Sequence, residues 1–563
     1  MKIFNIKSVW LLSILLIMGA IQSCDTFEGE PLNIINDGTL WHSEDSTANY
    51  AQRFLFGIYT ELPTLHNRLN NDYLDSGTDD AIPSVDKSDI GNVNSFRNNR
   101  ISPSNVVDGS VWEKCYSGIR RVNVFLANID GTVIYEHAEP NANTKKIWKA
   151  EARFLRAFFY FELVKRWGGV PIVGDKIYTM TDKVDIKRNS TKECFDYILN
   201  ELNAIENDLY AAKGLADLNI GRATDGATKA LRSRVLLYMA SPLYNDGGDI
   251  AKWKLAVDAT KEIMDMNVYS LHPSFPALFY TIKNNESIFI KESAQDTDVE
   301  LNNSPVGYQT TSYKCKGYTS PSQNLVDAFL TINGLSIGDD PSYDPQNPYE
   351  NRDPRLGSTV FHNGSQWLQR TVETFEGGLD KPNKNAPQTK TGYYLRKFLG
   401  AFEDSDQLAN THHSYVIFRY AEVLLNYAEA LNEYDPSSKT EIENALIQIR
   451  QRAGINAGSD NRYGLPTSYT QAQMRAIIQN ERRIELAFEE HRFWDIRRWK
   501  IAEFVMNEPL KGIKIEKEVS GFRFSTVTVE NSTFDQSKMY WLPISNKEIE
   551  ANPSMIQNQG WNY

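Results

Sequence analysis

Between Trp148 and Trp167 the chain carries apolar residues on two faces of a single helix, and this restricts the fold more than any other stretch. Trp148, Ala152, Leu155, Phe159 and Leu163 recur at three- and four-residue steps, while Phe154, Ala157, Phe158 and Phe161 make a second apolar face. A helix that is apolar on two sides is stable only between neighbours, so other helices must flank it. It ends at Trp167-Gly168-Gly169-Val170-Pro171, where two glycines and a proline stop propagation.

Those neighbours are legible on both sides. Residues 192–209 are helical in pattern, Thr224 is a suitable N-cap for a helix over 225–240, and another follows over 253–266. The pattern returns as Tyr420, Val423, Leu424, Tyr427 and Leu431, a turn at Asp435-Pro436-Ser437, then Ile442, Ala445, Leu446 and Ile449. Small alanines beside large aromatics suit tetratricopeptide-like helix pairs, with an irregular helical bundle as the alternative. From 271 to 412 the composition shifts to Gly, Pro, Asn, Asp and Tyr, with strand-like runs at 287–291 and 393–398. Further strand-like pieces lie at 513–519 and 522–529. The expected fold is mainly α: a tetratricopeptide-like helix-pair scaffold with large loop-rich insertions and a few short strands. Residues 37–563 are read as one body, with helical scaffold at 37–270 and 413–500, a loop-rich insertion at 271–412 and a C-terminal loop and strand segment at 501–563.

The N-terminus sets the location. Lys2 and Lys7 precede an apolar run from Val9 to Ile21, followed by Gln22-Ser23-Cys24. The run is too short to span a bilayer, and reads as a signal peptide over 1–23. Ile21-Gln22-Ser23-Cys24 resembles a bacterial lipobox, departing from it only at Gln22, so Cys24 is the expected lipidation site and 24–36 the tether. An ordinary cleavable signal is the alternative. Several acyl chains on one cysteine hold a protein to a membrane, at about 0.8 kcal/mol per buried methylene.

The chemistry is marked by absences. A net charge of −12 argues against nucleic acid, whose binding draws on Lys and Arg. Cys115, Cys194 and Cys315 are odd in number and widely spaced, so neither a disulfide framework nor a zinc site is expected. No nucleophile elbow, phosphate loop or dinucleotide turn occurs, and His412 and His413 would point to opposite faces of a strand. The densest carboxylates, Glu481, Glu485, Glu489 and Asp495, alternate with arginines on a helix and read as an ion-pair network. No catalytic residue, cofactor or resident metal is expected. Asp339, Asp340 and Asp344 could chelate a structural calcium, but their spacing suits an acidic turn better.

Several blocks together resemble the SusD/RagB family: residues 112–129 (W-E-K-C-Y-S-G-I-R-R-V-N-V-F-L-A-N-I), 150–171 (A-E-A-R-F-L-R-A-F-F-Y-F-E-L-V-K-R-W-G-G-V-P), 221–238, 351–356 (N-R-D-P-R-L), 419–432, 480–499 and the tail from Tyr540 to Trp561. They occur in family order and cover essentially the whole mature chain. The resemblance implies an outer-membrane lipoprotein of Bacteroidota facing the cell exterior. Its partners would be a SusC-like TonB-dependent transporter and a nutrient, usually an oligosaccharide, captured without catalysis. A lipid-anchored glycoside-processing enzyme and a helical-repeat protein-binding scaffold are the competing functions.

Sugars are bound by aromatic faces, with carboxylate, amide and guanidinium groups on their hydroxyls. Two segments that contribute to the binding face in the family carry such residues: Tyr73, Asp75, Asp79, Asp80, Phe96, Arg97 and Asn98 in the first, and Tyr308, Tyr313, Lys314 and Tyr318 in the second. Each ring is as well suited to packing beneath a loop as to stacking on a ligand. Should they pack, the Gly/Asn-rich stretch from Asn351 to His413 is the next place for a site.

Overall fold

The computed structural model describes residues 40–41, 49–64, 66–85, 92–132, 134, 144–179, 181–309, 314–382, 388–402 and 411–561. Cys24 and the leader lie outside them. Ten helices carry the scaffold: α1 (Asn49–Tyr59), α2 (Ser110–Asn128), α3 (Thr144–Trp167), α4 (Thr191–Ile205), α5 (Asp225–Ala240), α6 (Ile250–Asp265), α7 (Tyr420–Tyr434), α8 (Lys439–Ala453), α9 (Gln471–Glu485) and α10 (Arg492–Arg498). The molecule is mainly α-helical, with small separate strand pairs.

Helix packing follows the two-faced pattern. α3 lies between α2 and α4; α6 packs on α5 and α7, and α7 in turn on α8 and α9. Every residue of α3 from Phe154 to Trp167 is buried. Close approach requires small residues: a Cβ on Gly118 of α2 would collide with the Phe159 ring of α3. Thr224 caps α5 as expected, its hydroxyl accepting the Ala227 N–H at 3.1 Å.

Besides a short pair formed by Gln295–Asp296 and Thr411–His412, the strands are β1 (Ala81–Pro83), β2 (Ser287–Lys291), β3 (Thr319–Pro321), β4 (Val360–Phe361), β5 (Gln366–Trp367), β6 (Arg370–Thr371), β7 (Tyr394–Leu395), β8 (Tyr415–Arg419), β9 (Leu510–Glu518) and β10 (Gly521–Glu530). They pair antiparallel as β1 with β3, β2 with β8, β4 with β7, β5 with β6 and β9 with β10. The strand-like run at 393–398 is a strand only over Tyr394–Leu395, because Arg396 and Lys397 then turn both N–H groups to the Thr359 carbonyl.

The arginine-rich stretch 480–499 departs from the expected single helix. α9 ends at Glu485, and Phe488 (φ +62°) and Glu490 (φ +58°) take left-handed backbone before α10 begins. Bulky residues rarely adopt that conformation. Tertiary contacts hold it: Asp75 accepts the Phe488 N–H, and Arg68 binds the Glu490 carboxylate.

The carboxylates here pair across the molecule, not along a solvated helix face. Arg419 binds Glu489 (2.7 Å), Glu286 (2.7 Å) and Glu485 (2.6 Å). Arg355 bridges Asp353, Glu481 and Glu485, Lys397 reaches Glu489 at 2.8 Å, and Arg482 and Arg498 share Asp495. All are buried.

Candidate functional site

The two candidate segments meet, but their named side chains mostly face inward. β1 and β3 pair in register Ala81 to Pro321, and the Ser84 N–H donates to the Tyr318 carbonyl at 2.7 Å. In correction of the expected ligand contacts, Tyr73, Asp75, Asp79, Asp80, Phe96 and Arg97 are buried. Phe96 meets Phe493 edge-on at 4.7 Å. Asp79 pairs with Arg492 (2.9 Å) and Arg483 (2.8 Å), and Asp80 with Arg483. Arg97 donates to the Thr78 carbonyl and to Ser532. A run of so many charges ordinarily stays in water; here guanidiniums from α9 and α10 replace the water.

The remaining candidates divide. Tyr308 is buried, its hydroxyl donating to the Trp367 carbonyl at 2.6 Å, with the Arg370 guanidinium 3.8 Å from its ring centre. Asn98 is half-buried and Lys314 exposed. Tyr318 is half-buried, with the Lys316 ammonium 5.5 Å from its ring. Tyr313 lies outside the described residues.

A large opening lies in the insertion, a cleft of about 930 Å³. Its walls are Pro276, Phe279, Tyr280, Gly357, Ser358, the turn at 366–369, Arg396 and the run 398–402. The sequence marked none of these residues as ligand contacts, although the run 351–413 was the reserve location for a site. Two candidate tyrosines support the cleft from behind. Tyr73 stacks on Phe398 at 5.7 Å, and Tyr308 ties down the β5–β6 turn that carries Trp367. That turn has left-handed Leu368 (φ +46°) and Gln369 (φ +64°), the backbone of a tight two-residue hairpin. Phe279 meets Phe398 at 5.0 Å, and Trp367 meets Phe402 at 6.2 Å. Phe402 folds over Gly400, where a Cβ would come within 2.5 Å of the ring. Tyr280 and Phe402 are the partly exposed rings; Phe279, Trp367 and Phe398 form the wall behind them.

Among the described residues no carboxylate lines this cleft. The dense carboxylates sit elsewhere and are held ionised. Burial opposes the charge on Glu485, but the guanidiniums of Arg452, Arg419 and Arg355 outweigh it and hold the carboxyl well below its usual range. Burial is outweighed in the same way at Glu481, Glu489 and Asp495. A general acid needs the opposite, a carboxyl kept protonated near neutrality.

Among the described residues, no group of three or more His, Cys, Asp or Glu is placed to hold a metal. Asp339 accepts from Ser336, Asp340 from Thr331, Asn333 and Ser342, and Asp344 from Asn347, so each carboxylate serves its own turn. His413 is buried against Glu300 at 2.8 Å and is not part of a surface pair. Cys115, Cys194 and Cys315 are free and buried.

Two family models match the chain: the SusD family over residues 285–561, and a family described as "Starch-binding associating with outer membrane" over residues 46–237. Between them they span most of the sequence, and the chain belongs to the SusD family. A SusD-like protein P2 of Formosa agariphila is 23% identical over 97% of this chain and 98% of its own length. The starch-binding protein SusD of Bacteroides thetaiotaomicron is 32% identical, over 27% of this chain and 24% of its own. The crystal structure of a SusD-like protein from Bacteroides fragilis superposes with a TM-score of 0.77 at 28% identity, covering 94% of this chain and 99% of that one.

Proposed function

We propose that this protein is a surface-exposed outer-membrane lipoprotein that captures an oligosaccharide and passes it to a TonB-dependent transporter without chemically altering it. The observation that carries the reading is the open cleft, where Tyr280 and Phe402 present ring surface and no carboxylate of the described residues is placed for hydrolysis. Rings of this kind bind the CH-rich faces of sugars, while Gln366, Gln369 and Ser358 supply hydrogen-bonding groups for hydroxyls. Membership of the SusD family and the starch-binding relative favour a glycan over other nutrients. The lipobox-like run ending at Cys24 and the family described as associating with the outer membrane favour the location.

The test is a glycan array probed with the purified protein, run beside a released-sugar assay on every glycan bound. Binding without product is expected. Sugar release, or an array with no bound glycan of any class, overturns the proposal. Co-purification of a TonB-dependent barrel from detergent-solubilised outer membranes tests the handover.

A further inference from the structure

Arg396 is the one charged side chain lining the cleft among the described residues. It follows directly on β7, and its backbone N–H is anchored to the Thr359 carbonyl at 2.9 Å. The guanidinium donates to one carbonyl, that of Gly357, at 3.1 Å, and lies 5.0 Å from the Phe361 ring centre. No carboxylate of the described residues pairs with it. This sets it apart from its neighbours: Arg370 is bidentate on Asp380 at 2.6 and 3.0 Å, Lys397 is on Glu489, and Arg355 is on three carboxylates. Burial lowers its proton affinity.

A guanidinium has five donors in a planar fork, shaped to take a carboxylate or sulfate through two parallel bonds. Arg396 spends one of them. In a chain of net charge −12 that supplies carboxylates to most of its buried arginines, an arginine in the wall of an open cleft with no carboxylate partner among the described residues keeps donors free for an anionic ligand. The adjoining Trp367 adds a second unmet donor: its Nε1 is buried and has no protein acceptor.

We infer that the cleft selects an acidic oligosaccharide, one carrying carboxylate or sulfate groups, with Arg396 gripping the anionic substituent while Tyr280 and Phe402 stack on the adjoining ring. The inference rests on the glycan-binding reading of the same cleft and narrows it to a charge class.

Isothermal titration of the purified protein with three oligosaccharides of equal length separates the cases: an oligogalacturonate, a sulfated galactan fragment and a neutral β-glucan fragment. One of the two acidic sugars is expected to bind at least about tenfold tighter than the neutral one, a difference of about 1.4 kcal/mol, and to weaken as sodium chloride is raised. Which acid it is distinguishes carboxylate from sulfate. Arg396→Gln should remove that preference and its salt dependence, and Arg396→Lys, which keeps the charge but not the fork, should restore part of it. Thermal melts establish that both variants fold. Equal binding of all three sugars, or an acidic preference untouched by Arg396→Gln in a folded protein, overturns the inference. Binding of the neutral sugar alone overturns it too, yet leaves the glycan-binding reading standing, whereas an absence of binding across the whole glycan array defeats both.

Discussion

Asp75 accepts the backbone N–H of Phe488 at 3.0 Å, and so fixes in left-handed backbone an aromatic residue that ordinarily avoids it. The same link seats the Phe488 ring against Tyr73, which backs Phe398 in the cleft wall. A buried carboxylate in the first loop segment therefore shapes the binding surface without touching it.

Burial, reinforced by the charges of Asp80 and Glu490, raises the Asp75 carboxyl well above its usual range. The folded protein thus holds this proton more tightly than the unfolded chain, whose aspartates titrate near about 4. The stability it contributes is present below that value and is lost as pH rises through the folded value. Asp75→Asn keeps an oxygen for Phe488 and removes the charge, so its melting temperature should exceed wild type at neutral pH and converge with it in acid. Asp75→Ala leaves the N–H unmet and should cost about 1 to 3 kcal/mol. Calorimetric melts of the three proteins from pH 4 to 8 check both.

Glu485 behaves in the opposite sense. Its carboxyl is held well below its usual range because Arg452, Arg419 and Arg355 outweigh burial, so its contribution is present above the unfolded value of about 4.3 and lost as pH falls toward the folded one. Glu485→Gln leaves buried guanidiniums short of a counter-charge and should cost about 3 to 5 kcal/mol at pH 7. A urea titration at pH 7 showing less than about 1 kcal/mol lost would refute the network's role.

Two adjacent arginines should respond oppositely to methionine. Arg498 binds Glu429 (2.5 Å), Asp495 (2.8 Å) and Ser241 (2.9 Å), whereas Arg497 donates only to the Phe493 carbonyl and stacks on that ring at 3.5 Å, leaving Nε and Nη2 unmet. Replacing a buried charge that lacks a partner with an apolar side chain of similar length removes a desolvation penalty. Arg497→Met should melt at or above wild type, and Arg498→Met well below it.

Ring deletions separate the cleft surface from its support. Tyr280→Ala and Phe402→Ala should weaken glycan binding about tenfold to a hundredfold with little change in melting, by analogy with base–aromatic stacking. Tyr73→Ala empties a core position and should cost about 3 to 5 kcal/mol of stability. Gly400→Ala, which crowds Phe402, should mimic the loss of that ring in affinity.

Cys24→Ala should leave the precursor unprocessed or free the protein from the outer membrane. Retention of a matured variant in the membrane fraction would count against lipidation at this residue.

Local order was written in the chain. The two apolar faces of Trp148 to Trp167, the Thr224 cap and the short apolar run at Ser287–Lys291 each depend on residues a few positions apart, so their pattern survives in one dimension. The signal-like leader and the family blocks are likewise contiguous. What the tertiary structure alone decided is which polar and aromatic side chains meet water. Asp79 and Asp80 look solvated until Arg483 and Arg492, some four hundred residues later, fold against them. Tyr73 and Tyr308 look like ligand platforms until Phe398 and Trp367 take the outer position. The cleft itself is assembled from four separated stretches, and Arg396 and Lys397, neighbours in sequence, part there, one donating to the Gly357 carbonyl and one bound to Glu489. Burial of a charge depends on where its counter-ion lies in space, and residue type and spacing along the chain do not encode that distance.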